Sequence, residues 1–249
     1  MFDRFRRPRE PEFVFVVTFG RSGSTLIQGL LNTLPRTLVR GENGFFLGGF
    51  FAGTSAATAF AERHAKHRPG KPVSAFYGVR ALTPERFARH VRALSTEVLL
   101  GKQDPRGIDR LGFKEVLWHQ IEEADTAAFF DWFDLVFPGA KYVLNTRNVS
   151  DALGSGFWQK RDPDHAVSAT ARVQEIQAFL RETRSERVFD TSYEVITGDD
   201  VAASDAQLRG LATFVTGGCS DELLAELRAT LAVGHGPAPF GKSRADSRG

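Results

Sequence analysis

A single cysteine, Cys219, occurs in the 249-residue sequence, so one chain can form neither an internal disulfide nor a cysteine-rich metal cluster. That usage suits a reducing compartment. No stretch has the roughly 20 consecutive apolar residues that a membrane-spanning helix needs. The arginines of "MFDRFRRPREP" precede no apolar signal core, so the chain is expected to be untargeted and cytoplasmic. Nor does one sign of charge dominate: 32 Lys and Arg face 30 Asp and Glu, a net charge of +2. Several basic residues sit in the two ends, where charges are usually solvated, so nucleic acid is not an expected partner. The six histidines show no metal-ligand spacing with a second ligand set, and no metal is expected. Tyrosine is scarce, three residues against 22 phenylalanines, most of which are expected in a core.

What is present is an alternation of strand and helix signals. "FVFVVTF" (13–19) is a continuous β-branched and aromatic run, suited to a strand buried on both faces. "TLIQGLLNTL" then repeats leucine at helical spacing (Leu26, Leu30, Leu31, Leu34) up to Pro35. "RTLVRG", "RLGFKEVLW", "KYVLNT" and "RVFD" contain further strands. "TPERFARHVRALSTEVLL" opens with Thr83 as N-cap and Pro84 at the first helical position, and places Phe87, Val91, Leu94 and Val98 on one face. "VQEIQAFL" and "QLRGLATFV" are helical. "ENGFFLGGFFAG" (42–53), broken by glycines and without a clean period, reads as a mobile aromatic loop. The fold class is therefore α/β, a P-loop-like parallel sheet flanked by helices. One domain is expected over 13–235, between basic tails at 1–12 and 236–249.

Two stretches carry anion chemistry. In "VTFGRSGSTLIQGLL" (17–31) a glycine and hydroxyl loop joins a buried strand to a helix, where free N–H groups and the helix dipole favour a negative ligand. Gly20 and Gly23 let the backbone turn closely, Arg21 adds a full charge, and Ser22, Ser24 and Thr25 add donors or cap the helix. The Gly-Lys-Ser/Thr ending of a triphosphatase loop is missing, which argues against ordinary Mg-ATP hydrolysis. The Gly-x-Ser-x-Gly elbow is missing too, because residue 24 is serine. In "KYVLNTRNVSDALGSGFW" (141–158), Arg147 follows a strand at the edge where open α/β sheets bind ligands. Ser155 comes eight residues later, between Gly154 and Gly156.

Together these stretches resemble the PAPS-dependent sulfotransferases, with "GFKEV" (112–116), "FPGAKYVLNTR" and the late "SYE…QLRGLATFV" following the pattern of bacterial members. The resemblance implies a loop at Gly20–Thr25 holding the 5′-phosphosulfate of PAPS, and Arg147 with Ser155 holding the 3′-phosphate. PAP would be the product and no metal would be needed. It also implies a general base. Glu42, directly after the second strand, resembles the glutamate of one branch; His119 is the rival, although the histidine branch places its residue two after the lysine, where this chain has Val116. Lys114 is the candidate for stabilising the leaving oxygen or sulfonate, with Arg21 sharing that charge. Phe45, Phe46, Phe50 and Phe51 are expected to keep the base dry. The acceptor is expected to be a small-molecule, carbohydrate or peptide hydroxyl, or less readily an amine. A glycine-rich basic tail containing Lys242 and Arg244 is a further candidate for the nucleotide. Two alternatives stay open: a P-loop phosphotransferase using ATP, and a non-catalytic nucleotide or anion sensor. Oligomeric state is not legible.

Overall fold

The run at 13–19 forms the central strand of a sheet, and its side chains alternate between two separate cores. In the computed structural model, which describes residues 10–67, 70–154 and 162–233, β1 is Glu12–Val17. Phe13, Phe15 and Val17 enter one core, while Val14 and Val16 enter the other. Burial on both faces explains why the sequence is continuously apolar rather than alternating. The other strands are β2 (Thr37–Arg40), β3 (Arg110–Glu115), β4 (Lys141–Thr146) and β5 (Val188–Ser192). All pairings are parallel, in the order β2-β3-β1-β4-β5. The chain leaves β1 towards β2 on one side and leaves β4 towards β5 on the other. The switch point therefore lies between β1 and β4, where a crevice opens at the carboxyl ends of the strands.

Helices α1 (Ser24–Thr33), α8 (Val201–Thr216) and α9 (Asp221–Val233) cover one face, burying Ile27, Leu30, Leu31, Leu208, Leu211 and Leu227 against β1. The other face carries α3 (Pro84–Leu100), α4 (Thr126–Val136) and α6 (Pro163–Thr183). Its core is largely aromatic: Phe15 meets Phe113, Phe133 and Phe137 with ring centroids 4.8–4.9 Å apart. Two short helices, α5 (Val149–Leu153) and α7 (Tyr193–Thr197), lie directly after β4 and β5. No helix among the described residues is long and apolar enough to cross a membrane.

Two local expectations are corrected. Residues 46–64, whose first part reads as a loop, form the 19-residue helix α2 (Phe46–His64). Gly44 and Phe45 turn the chain into it with positive φ of 70° and 54°. A Cβ on Gly48 would lie 2.5 Å from the Phe45 ring, so that glycine makes room for the ring to reach Trp118 and Phe129. Each helical glycine costs about 1 kcal/mol relative to alanine. Packing of Phe45, with Phe46, Phe50 and Phe51 partly buried against the same core, offsets that cost. On α3, Thr83 caps Arg86 N–H and Pro84 is the first helical residue, as the sequence suggests. The buried face is rotated, however, to Ala88, Val91, Ser95 and Leu99, leaving Leu94 and Val98 exposed. Small residues in that stripe let α3 pack closely on α4, which hydropathy alone does not reveal.

Gly112 on β3 is paired with Val14, and a Cβ there would fall 1.6 Å from the Val14 carbonyl oxygen. Gly112→Ala is expected to destabilise the protein by about 3 kcal/mol, an overpacking cost that main chain cannot relieve by a rotamer change. Gly218→Ala, in open space, should stay within about 0.5 kcal/mol. Urea-unfolding midpoints compare the two; equal midpoints would contradict the packing.

Candidate active site

The loop between β1 and α1 leaves the helix start open to a ligand. Arg21 has a positive φ of 68° and Gly23 one of 81°. A non-glycine residue in this region costs about 1–2 kcal/mol, so the loop holds a conformation that the local sequence does not prefer. Gly23 is the N-cap, no side chain caps α1, and no acid stands in its first turn. Neither Ser22 nor Ser24 therefore serves as a cap, and the leading N–H groups of α1 keep their partial positive charge. Gly20, Arg21, Gly23, Ser24 and Thr25 all line one cleft of about 480 Å³. Ser22 does not. It is wholly buried, and its hydroxyl lies 2.6 Å from that of Thr18.

Beneath the loop is a polar knot that sequence patterns did not signal. Asn145, buried on β4, donates through Nδ2 to the Ser22 carbonyl at 2.8 Å and accepts through Oδ1 from Thr191 Oγ1 at 3.1 Å. Thr18 Oγ1 donates to the Asn145 carbonyl at 3.0 Å. Gln177 on α6 donates to the Val17 carbonyl at 2.9 Å and to that of Asn145 at 3.2 Å. Side chains thus satisfy carbonyls at the ends of β1 and β4, where the ladder stops.

Across the cleft, Glu42 meets Lys114 Nζ at 2.5 Å. Lys114 is almost wholly buried, whereas the Glu42 side chain is 51% exposed. The phenylalanines expected to dry this carboxylate point instead into the core below α2, because the turn at Gly44–Phe45 sends the Phe45 ring downward. Glu115, next to Lys114 on the opposite face of β3, is fully buried. One of its oxygens accepts from Asn43 N–H (3.1 Å) and Phe45 N–H (3.0 Å). The other accepts from Val116 N–H (2.8 Å) and Leu117 N–H (3.1 Å). Four amides compensate the buried charge and fix the turn that carries Glu42.

Arg147 enters the same cleft from β4. Its guanidinium carbon lies 4.2 Å from the centre of the Tyr193 ring, Nη1 donates to the Arg21 carbonyl at 3.0 Å, and the buried Nε has no partner among the described residues. Tyr193, to which sequence reasoning assigned no role, also packs on the loop: a Cβ on Gly23 would fall 2.1 Å from its ring. The available signal was its place just after β5, on the ligand-binding edge. Glu194 accepts from Asn148 N–H at 2.8 Å and from Ser192 Oγ at 3.0 Å. Burial pushes its carboxyl up, but these bonds, its own N–H and the charge of Arg147 outweigh that and hold it below the usual range.

Glu42 and Arg147 therefore face the loop across one cleft, with Lys114 behind Glu42. His119 does not line that cleft; it sits on a 3-10 turn with its ring 5.7 Å from that of His165. Ser155 and Gly156 lie outside the described residues, as do Lys242 and Arg244.

A known structure agrees with this architecture. The sulfotransferase domain of the olefin synthase from Synechococcus PCC 7002 superposes with a TM-score of 0.53 over 89% of this chain and 80% of that one, at 18% identity. The chain has a sulfotransferase fold. The sulfotransferase STF1 from Mycobacterium tuberculosis H37Rv covers 90% of this chain and 72% of its own, at 16% identity and a TM-score of 0.38, too low to transfer positions. No protein-family model and no curated protein sequence matches the chain. The sulfotransferase fold accounts for the sheet and for the crevice at its switch point; the roles of the side chains rest on their own geometry.

Two outcomes test that geometry. Gly23→Ala should fold but lose anion binding, because both its positive φ and the Tyr193 ring oppose a Cβ. Sulfate titration followed by intrinsic fluorescence reads this directly, and unchanged affinity would contradict the loop's role. Glu194, with a lowered pKa, contributes stability above its ordinary value of 4.5 that is lost as pH falls through the folded value. Between pH 6 and 3 the wild-type melting temperature should therefore fall further than that of Glu194→Gln.

Proposed function

We propose that the protein is a sulfotransferase that takes a sulfuryl group from PAPS, passes it to an acceptor hydroxyl and releases PAP. The observation that carries this reading is the pairing of two cationic groups across one crevice. One is the uncapped start of α1 with Arg21; the other is Arg147, whose buried Nε has no partner among the described residues. A donor with phosphosulfate at one end and a 3′-phosphate at the other has the matching charge distribution. The loop has no lysine to grip a triphosphate, which disfavours an ATP phosphotransferase. An exposed carboxylate held by a buried lysine at the same cleft favours an enzyme over a sensor.

In this reading the α1 N–H groups, Arg21 and Thr25 hold the phosphosulfate, while Arg147 and Ser155 hold the 3′-phosphate. Lys114 orients Glu42, and Glu115 holds the turn on which Glu42 stands. Glu42 takes the acceptor proton as the acceptor oxygen bonds to sulfur. The bond from sulfur to the donor phosphate breaks, and the charge left on that phosphate oxygen falls to Arg21 and the helix N-terminus. Glu42 is half exposed without an acceptor, so bound acceptor itself would exclude water from the carboxylate.

Calorimetry without metal should show PAP binding at least about tenfold tighter than ADP, with Arg147→Ala losing about 1.5–3 kcal/mol, the worth of a charge-assisted hydrogen bond. Glu42→Gln should keep PAP affinity within about twofold while turnover falls by about 10²–10⁴. His119→Ala should retain turnover. Preferential binding of Mg-ATP, or indifference to Arg147, would overturn the proposal.

A further inference from the structure

The far end of α2 gathers cations that form no ion pair among the described residues. Residues 60–90 contain seven lysines and arginines against two glutamates, although the whole chain is only +2. Elsewhere arginines are commonly paired: Arg36 with Asp109, Arg181 with Asp190, Arg184 with Asp131 and Asp134. Among the described residues, Arg63, Lys66, Lys71, Arg80 and Arg86 form no ion pair, and all are exposed.

The segment that carries Lys71 and Arg80 folds back on the end of α2, which carries Arg63 and precedes Lys66. Phe76 stacks on His64 with centroids 4.1 Å apart and lies 5.2 Å from His67, folding the segment after α2 back onto its last turn. Arg80 Nη2 reaches the Ala65 carbonyl at 3.5 Å, and Arg86 lines a shallow cavity with Ala81. Large apolar side chains stand among the charges without cover. Val73 is 92% exposed, Tyr77 60% and Phe60 44%. A solvated charged face does not need such residues; a surface that meets both headgroups and acyl chains does.

We propose that this surface, centred on Lys66, Lys71, Val73 and Tyr77, docks the protein reversibly on an anionic lipid bilayer. The cations meet the headgroups while Val73, Tyr77 and Phe60 enter the interface. Charge complementarity selects an anionic partner, and the exposed valine and aromatics favour a bilayer over a soluble polyanion, which offers nothing apolar to contact. The proposal does not rest on the sulfotransferase reading. A 19-residue helix at about 1.5 Å per residue places the surface about 28 Å along α2 from its start near Glu42, so docking leaves the cleft uncovered.

The test is co-sedimentation of the full chain with vesicles of phosphatidylcholine alone or mixed with anionic phosphatidylglycerol. Binding is expected only to the mixed vesicles and should weaken in high salt. Lys66→Glu with Lys71→Glu should reduce partitioning by about 25-fold or more, since each cation near an anionic surface contributes roughly fivefold. Val73→Ser with Tyr77→Ser should also reduce it, while leaving retention on a dextran sulfate column unchanged. All four residues are exposed, and circular dichroism with thermal melting checks that the variants fold. No binding to mixed vesicles would overturn the proposal. So would binding that survives Val73→Ser with Tyr77→Ser and is competed by dextran sulfate, the mark of a soluble polyanion site.

Discussion

The carboxamide of Asn145 holds together the part of the structure on which the cleft depends. Parallel strands end with unpaired carbonyls, and a glycine loop adds more where it leaves the sheet. Asn145 spans that gap, donating to the loop at Ser22 and accepting from Thr191 on β5, while Thr18 and Gln177 satisfy the carbonyls around it. A buried network of this kind is stable only when each member is satisfied. Its members come from β1, the loop, β4, β5 and α6, so the strand ends are locked in register before any ligand arrives. The strained φ of Arg21 and the uncapped start of α1 persist because this layer beneath them is rigid.

Glu115 solves the corresponding problem on the other side. A turn carrying an exposed carboxylate has little of its own to hold it, and Gly44 makes it more pliable. A buried carboxylate that takes four backbone N–H groups supplies the anchor. Alternation along β3 then does the rest: Glu115 faces the turn, and Lys114, one residue earlier, faces Glu42. Adjacent residues of opposite charge thus serve different ends, one holding the backbone and the other the side chain. The same turn sends Phe45 into the aromatic core, which couples the position of Glu42 to the packing of α2.

Much of the fold was legible because its signals are local. A run such as "FVFVVTF" fits a two-sided strand, Thr83-Pro84 starts a helix, and a glycine loop between strand and helix places an uncapped helix start at a sheet edge. The α2 segment was not legible: its glycines argue against a helix in isolation, and the reason for Gly48 is a ring packed on it from three residues earlier. The buried face of α3 was misplaced for a related reason, since close packing on α4 favours Ala88 and Ser95 over the bulkier Leu94 and Val98. Of the cleft, Arg21, Glu42 and Arg147 could be named from type and position. Tyr193 was missed although it follows a strand at the ligand-binding edge, since an aromatic residue there reads as core until the loop it touches is known.

By itself the sequence determined which elements form and which residue types stand at the carboxyl edge of the sheet, because propensity, capping and hydrophobic period act over a few residues. Tertiary structure alone decided what those residues meet. It placed Glu42 on Lys114, 72 positions away, and Arg147 over Tyr193. It also turned Ser22 under the loop rather than into the cleft. Such contacts depend on how strands order in the sheet and how turns aim side chains, and both are set by packing summed over the whole core.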